Sequence, residues 1–163
     1  MSTKAIDTET RAESDDHGAI RLWLRMLATN RLIETRMRRL LQERCATTLP
    51  RFDLMAQLER VPGGLKMGEL SKRMMVTGGN VTGITDGLVR EGLVERASDP
   101  ADRRAWRVKL TPAGRRAFTA MAREHERWIV AAFATLSARE MSNMAGLLGR
   151  LKTHLRSLEG RVA

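Results

Sequence analysis

The chain has 163 residues, which is enough for one compact domain and somewhat short for two. Its 29 lysine and arginine residues outnumber 19 aspartate and glutamate residues, so the formal net charge is +10. The excess lies in residues 18–163, which carry +13, whereas residues 1–17 carry −3. This charge favours a polyanionic partner such as DNA, RNA or a membrane surface, although an arginine-rich proteome would give the same balance.

Targeting and redox signals point to the cytoplasm. Residues 1–17 are polar, lack the apolar segment of a signal peptide and are predicted to form a flexible tail. No apolar run approaches the ~20 residues that a membrane span requires, so no membrane partner is expected. The single cysteine, Cys45, cannot form an internal disulfide, which favours a reducing compartment.

The first part of the chain predicts two helices. Apolar residues recur at spacings of three and four from Ile20 to Leu41, which predicts a long amphipathic helix over residues 18–44. In a second helix, Thr48 is the expected N-cap and Pro50 lies in the first turn. The Pro-Gly-Gly sequence at residues 62–64 ends this helix.

The middle of the chain has the pattern of a helix-turn-helix. One short helix is predicted over residues 67–74, and a second begins after Thr77, the expected N-cap, and ends at Gly92. Short strands at residues 93–96 and 105–110 then bracket a charged tip, as in a hairpin. A hairpin that directly follows a helix-turn-helix forms the wing of a winged helix.

The last third is helical again. Thr111 and Pro112 predict an N-cap and a first helical residue, and Ser137 with Glu140 fits a capping box. Apolar residues from Met141 to Leu158 form a near-heptad seam. The predicted fold is therefore mainly α with a small β-hairpin wing: a winged helix-turn-helix flanked by long N- and C-terminal helices.

Three stretches of this sequence resemble the multiple antibiotic resistance regulator (MarR) family of dimeric transcription factors. They are GLVERASDPADRRAWRVKLTPAG at residues 92–114, TLPRFDLMAQL at residues 48–58 and ELSKRM at residues 69–74. The resemblance extends over residues 20–158. It implies dimerisation helices at residues 18–47 and 111–163, a DNA-binding region at residues 48–110, and a homodimer that binds a palindromic operator on double-stranded DNA.

The charged tip has a physical role in such a protein, because the narrow minor groove of DNA attracts arginine. Asp102 and Arg104 project to the same side of an extended strand, so the carboxylate can orient the guanidinium. The resemblance implies that Arg104 enters the groove, with Arg103 and Arg107 on phosphates. The alternative interpretation is a solvated charged turn.

The second short helix contains four glycines, at positions 78, 79, 83 and 87, each costing about 1 kcal/mol relative to alanine. This cost suggests that the backbone lies close to a partner, although a weak helix held by tertiary packing is the alternative. Polar residues near its N-terminus are candidates for base or phosphate contacts. The predicted DNA-binding residues are Lys72, Arg73, Thr77, Asn80, Thr82, Arg90, Asp102, Arg103, Arg104 and Arg107.

The resemblance also implies a small-molecule effector, since family members commonly release DNA when an aromatic acid or a related compound binds. Arginines at positions 36, 38, 39 and 51 could hold an anionic ligand such as an aromatic acyl-CoA thioester, or could contact DNA or solvent. The apolar side chains on the same helices could line such a ligand site or could equally belong to the hydrophobic core. The predicted ligand-binding residues are Trp23, Met26, Arg36, Met37, Arg39, Phe52, Asp53, His125 and Trp128.

Two other functions are compatible with this sequence. Cys45 could serve a thiol redox-sensing repressor, although it lies past the end of the first long helix, whereas peroxide sensors of the family carry their cysteine near its start. A constitutive or architectural DNA-binding protein is a further alternative. No cofactor, metal or catalytic residue is expected, since the three histidines lack metal-ligand spacing and no nucleotide-binding or hydrolase motif is present.

Overall fold

A computed structural model describes residues 17–99 and 102–159 of the chain, without the side chains of residues 102–105 and 159. Residues 1–16 of the predicted tail (1–17), the wing residues 100 and 101, and residues 160–163 of the predicted dimerisation region lie outside this range. The described elements are α1 (Gly18–Cys45), α2 (Leu49–Glu59), β1 (Leu65–Lys66), α3 (Met67–Met74), α4 (Gly78–Arg90), β2 (Val94–Asp99), β3 (Asp102–Leu110), α5 (Pro112–Ala132) and α6 (Ala138–Glu159). The prediction of a mainly α winged helix-turn-helix is confirmed.

The chain divides into two compact units, and the boundary falls within α5, between His125 and Glu126. The first unit contains the helix-turn-helix and the wing, and its core lies where α2, α3 and α4 meet the sheet. Its fully buried apolar side chains belong to all of these elements and to the end of α1: Leu41, Leu54, Met55, Leu58, Leu65, Leu70, Val81, Leu88, Val94 and Val108. The second unit contains the end of α5 and α6.

Of the four predicted N-cap residues, two make capping hydrogen bonds in the structure and two do not. The Thr111 hydroxyl accepts a hydrogen bond from the Gly114 N–H at 2.9 Å, which confirms the start of α5. At α6, Ser137 N–H donates to Glu140 at 2.8 Å and Glu140 N–H donates to the Ser137 hydroxyl at 3.3 Å, which confirms the capping box. Thr48 and Thr77 occupy the N-cap positions of α2 and α4, but neither side chain makes a capping hydrogen bond, so that part of the prediction is wrong.

The sheet is antiparallel, with the strand order β1-β3-β2. Both wing strands are longer than predicted, because β2 and β3 continue into the charged stretch and Asp99 pairs with Asp102 across a register shift. The strand β1 was not predicted, since two residues are too short to show a period; Leu65 and Lys66 pair with Val108 and Arg107. This third strand attaches the wing to the start of α3.

The base of the wing and the start of α5 are in direct contact. Thr111 N–H donates to the Leu93 carbonyl at 3.1 Å, and the Thr111 hydroxyl donates to the Gly92 carbonyl at 2.7 Å. A Cβ atom placed on Gly114 would lie 1.8 Å from the same Leu93 carbonyl oxygen. Position 114 therefore accepts no side chain unless the backbone moves, and α5 begins at a fixed distance from the wing.

This contact predicts opposite effects for two glycine substitutions. We expect Gly114→Ala to lower the free energy of unfolding by at least about 2 kcal/mol through steric overlap. Gly87→Ala, in the interior of α4 where an added Cβ meets no atom within 4 Å, is the matched control and should raise it by about 0.5–1 kcal/mol. Urea unfolding of both variants measures these changes in the free energy of unfolding. Equal stabilities of the two variants would contradict the close contact between Gly114 and the Leu93 carbonyl.

Candidate nucleic-acid interface

One face of α4 is open. Val81, Thr85 and Leu88 are buried against the core, whereas residues 77–80, 82 and 83 are all exposed. Of the predicted contacts on this face, Thr77 and Asn80 carry exposed polar groups. The Thr82 hydroxyl donates a hydrogen bond to the Gly78 carbonyl at 2.9 Å and is therefore partly used within the helix. The structure brings these three residues together on one surface, as an interface with a groove requires.

The four glycines of α4 do not pack against another segment of the described residues. A Cβ atom added to Gly78, Gly79, Gly83 or Gly87 would meet no atom of the described chain within 4 Å. A close approach to a neighbouring segment therefore does not account for them. Gly78, Gly79 and Gly83 leave exposed backbone and short side chains along the N-terminal half of α4, and Gly87 lies in its C-terminal half.

The turn between α3 and α4 is tight. Met75 has a left-handed conformation (φ 54°), and Val76 is held by Ser71, whose hydroxyl donates to the Val76 carbonyl at 2.7 Å. Lys72 and Arg73 lie in the last turn of α3 and are exposed, as the prediction requires, and Arg90 is exposed at the end of α4. These cations therefore lie on the two helices of the helix-turn-helix.

A buried carboxylate organises the wing. Asp99 is 2% exposed, and its Oδ2 atom accepts a hydrogen bond from Arg107 Nε at 3.0 Å and lies 3.2 Å from Lys66 Nζ. Arg107 Nη1 also donates to the Gly64 carbonyl at 3.1 Å. Arg107 was predicted to contact phosphate, but two of its nitrogens hold the wing together, so its first role is structural. Neither this network nor the part of Lys66 in it was predicted.

The remaining wing predictions concern side chains that are outside the described set. Asp102, Arg103 and Arg104 are the first residues of β3, whereas the sequence placed them in the charged tip before the strand. The orientation of Arg104 by Asp102 stays a prediction. A further ion pair, between Arg96 of β2 and Asp86 of α4, joins the wing to the open helix and was not predicted from sequence.

A second cluster lies between α2 and α5. The Phe52 ring stacks on His125, with a centroid separation of 4.9 Å and an interplanar angle of 20°, and on Phe118 at 5.4 Å and 29°. Three of the predicted ligand residues, Phe52, Asp53 and His125, thus come together. Phe118 was missed as a member of the cluster, although it lies seven residues before His125 and so on the same face of α5.

Two ionisable groups in this cluster have shifted pKa values. Partial burial raises the pKa of Asp53, and the nearby Glu34 raises it further, while His125 and Arg38 oppose the shift. Partial burial also lowers the pKa of His125, against the attraction of Asp53. Both shifts favour neutral side chains, so the cluster is a weakly polar, aromatic environment.

The other predicted ligand residues are spread along the helices. Met37 is buried, Met26 is half-buried, and Trp23, Arg36 and Arg39 are exposed on α1. Trp128 belongs to the second unit. Among the described residues no group of three histidine, cysteine, aspartate or glutamate side chains could hold a metal ion. Within the same residues, the helices fall short of the combination of length and apolar character that a membrane span needs.

The network around Asp99 predicts a large loss of stability on neutralisation. Asp99→Asn removes the charge that Arg107 and Lys66 share, and we expect the free energy of unfolding to fall by about 1.5–3 kcal/mol. Glu95→Gln, which breaks the exposed pair with Lys109, is the control and should cost less than about 1 kcal/mol. Comparable losses for the two variants in chemical denaturation would show that Asp99 is not the organising group.

The lowered pKa of His125 predicts a pH effect. Because the pKa of His125 is lower in the folded protein than the usual 6.5, the fold favours the neutral imidazole. This group therefore stabilises the fold above pH 6.5, and that stability is lost as the pH falls through the lower, folded pKa. Between about pH 8 and about pH 5 the wild type should therefore lose more thermal stability than His125→Phe, which keeps the ring stack. Identical pH profiles for the two proteins would contradict this environment.

Comparisons with known proteins agree with this geometry. The model of the MarR family matches residues 47–105, nearly the predicted DNA-binding region. The transcriptional activatory protein BadR of Rhodopseudomonas palustris is 27% identical over 124 residues, which is 75% of this chain and 70% of BadR. The HTH-type transcriptional repressor YetL of Bacillus subtilis is 34% identical over 83 residues, about half of each chain.

A solved structure extends the likeness to nearly the whole chain. The crystal structure of a MarR family transcriptional regulator from Silicibacter pomeroyi is 35% identical, covers 87% of this chain and 99% of its own, and superposes with a TM-score of 0.72. The open face of α4, the wing built on Asp99 and this level of identity lead to one conclusion. The chain belongs to the MarR family of DNA-binding transcription regulators and is not an enzyme.

Proposed function

We propose that the protein is a ligand-responsive transcriptional repressor, which binds a palindromic operator as a homodimer and is released by a small aromatic acid or its coenzyme A thioester. The observation that carries the proposal is the open, glycine-rich face of α4, which lies next to a wing whose strands are joined to the domain through Asp99. A helix with such a face can approach the major groove closely, while the wing reaches the adjacent minor groove.

Exposed apolar side chains support the homodimer. On α1, Trp23 is 58% exposed and Leu32 is 73% exposed. On α6, seven large apolar residues are exposed: Met141, Met144, Leu147, Leu148, Leu151, Leu155 and Leu158. Exposed apolar side chains on each of these helices suit a partner helix, and a second copy supplies the same side chains. Two copies of α4 would then bind half-sites about one DNA turn apart.

The aromatic cluster supports the effector. Phe52 and Phe118 provide flat apolar surfaces, His125 can donate a hydrogen bond, and the exposed Arg36 and Arg39 of α1 suit the phosphates of a coenzyme A thioester. A ligand that separates Phe52 from His125 would move α5. Since Gly114 contacts the Leu93 carbonyl, a displacement of α5 would be passed to the base of the wing.

A thiol redox sensor is less well supported. Burial raises the pKa of the Cys45 thiol, and the nearby Glu124 raises it further. A thiol with a raised pKa holds less of the reactive thiolate at neutral pH. A constitutive or architectural DNA-binding protein would have no use for an effector and is distinguished by the assay below.

Operator binding tests the DNA surface. In fluorescence anisotropy with DNA from upstream of the gene, Arg104→Ala should weaken specific binding by about 1–3 kcal/mol at fixed salt. The control Arg150→Ala, on an exposed position of α6, removes the same charge and should bind nearly as the wild type does. Unchanged affinity of the Arg104 variant would exclude this arginine from the groove.

The same assay tests the effector. A panel of aromatic acids and their coenzyme A thioesters is added to the wild-type complex, and release by one compound supports the proposal. Phe52→Leu should weaken the response to that compound while operator affinity is kept. Specific binding that ignores every compound but is lost on oxidation with peroxide would favour the Cys45 sensor, and binding without sequence preference would favour the architectural alternative.

A further inference from the structure

A basic cleft at the base of the wing has no role in the function proposed above. Its volume is about 690 Å³, and it lies between Pro62 after α2, the C-terminal end of β3 and the first turns of α5. Four cationic residues and one carboxylate line it: Lys109, Arg115, Arg116, Arg123 and Glu95. All of these residues belong to the first compact unit.

The charges in the cleft are only partly neutralised. Lys109 Nζ lies 3.1 Å from Glu95 Oε1, and Arg115 Nη1 lies 3.0 Å from Glu59 Oε2. Arg116 and Arg123 are exposed and have no ion-pair partner among the residues that the structure describes. The cleft therefore keeps two uncompensated guanidinium groups.

The spacing of these two arginines suits a ligand with more than one anionic group. Arg116 and Arg123 are seven residues apart on α5, which is two helical turns or about 10 Å along the axis, and Thr119 lies between them on the cleft wall. Guanidinium groups bind phosphate oxygens in pairs of hydrogen bonds. The volume is also within the usual range for small-molecule sites.

We propose that this cleft binds a small molecule that carries two or more phosphate groups, held by Arg116 and Arg123. The site is separate from the Phe52–His125 cluster, since the two sets of lining residues have no member in common. It is also distant from the wing tip. Glu95, which pairs with Lys109, lies four residues before Asp99 on β2. These residues of the cleft are therefore about 13 Å from Asp99 along the hairpin, on the side away from the wing tip.

Titration of the full chain with sodium tripolyphosphate tests the proposal. Isothermal titration calorimetry at constant ionic strength should show saturable binding to the wild type. In the double variant R116Q/R123Q we expect affinity to fall at least about tenfold, since two charge-assisted contacts are lost. The control R139Q/R150Q removes the same charge from exposed positions of α6 and should bind as the wild type does.

Thermal unfolding of both double variants checks that each is folded, because all four side chains are exposed. Absence of saturable binding to the wild type, or an equal loss in both variants, would overturn the proposal. A third result would also overturn it: if R116Q/R123Q keeps its tripolyphosphate affinity but loses operator affinity, the cleft binds DNA phosphates. Tripolyphosphate binding that persists when operator DNA is bound would support a site away from the DNA surface.

Discussion

The structure depends on one buried negative charge. A carboxylate that is 2% exposed needs compensation, because an unpaired ion in a protein interior costs several kcal/mol. Asp99 obtains it from Arg107 on the neighbouring strand and from Lys66 at the start of α3, while Arg107 also binds the Gly64 carbonyl. These contacts join the hairpin to the helix-turn-helix. The angle at which the wing leaves the domain is therefore set by electrostatics at its far end as well as by packing at its base.

At the base, the constraint is steric. The Leu93 carbonyl accepts a hydrogen bond from Thr111, and the absence of a side chain at Gly114 lets α5 pass directly over it. Further along α5, Phe118 and His125 stack on Phe52 of α2. The proposed effector cluster and the wing are thus connected by one continuous helix whose first turn has little freedom to adjust. A rigid element of this kind can transmit a small displacement between two sites.

The sequence predicts this fold where the signals are local. Helical periodicity placed the helices, and the caps at Thr111 and Ser137 depend on groups only three residues apart. At Thr48 and Thr77 the same logic found the N-cap position, but neither side chain makes the capping hydrogen bond. Strand β1 was missed because two residues have no period. Arg107 was assigned to DNA because its partners, 8 and 43 residues away, cannot be read from spacing.

The glycines of α4 have a consequence for how operators are distinguished. An open helix face made of backbone and short side chains can lie deep in a groove, yet it offers few long groups to reach the edges of the bases. In the proposed binding mode, much of the selectivity would come from the DNA itself, through the width of its minor groove beneath the wing and the ease with which particular base steps bend. Base pairs that no side chain touches would affect affinity, so the recognised sequence would extend beyond the points of contact.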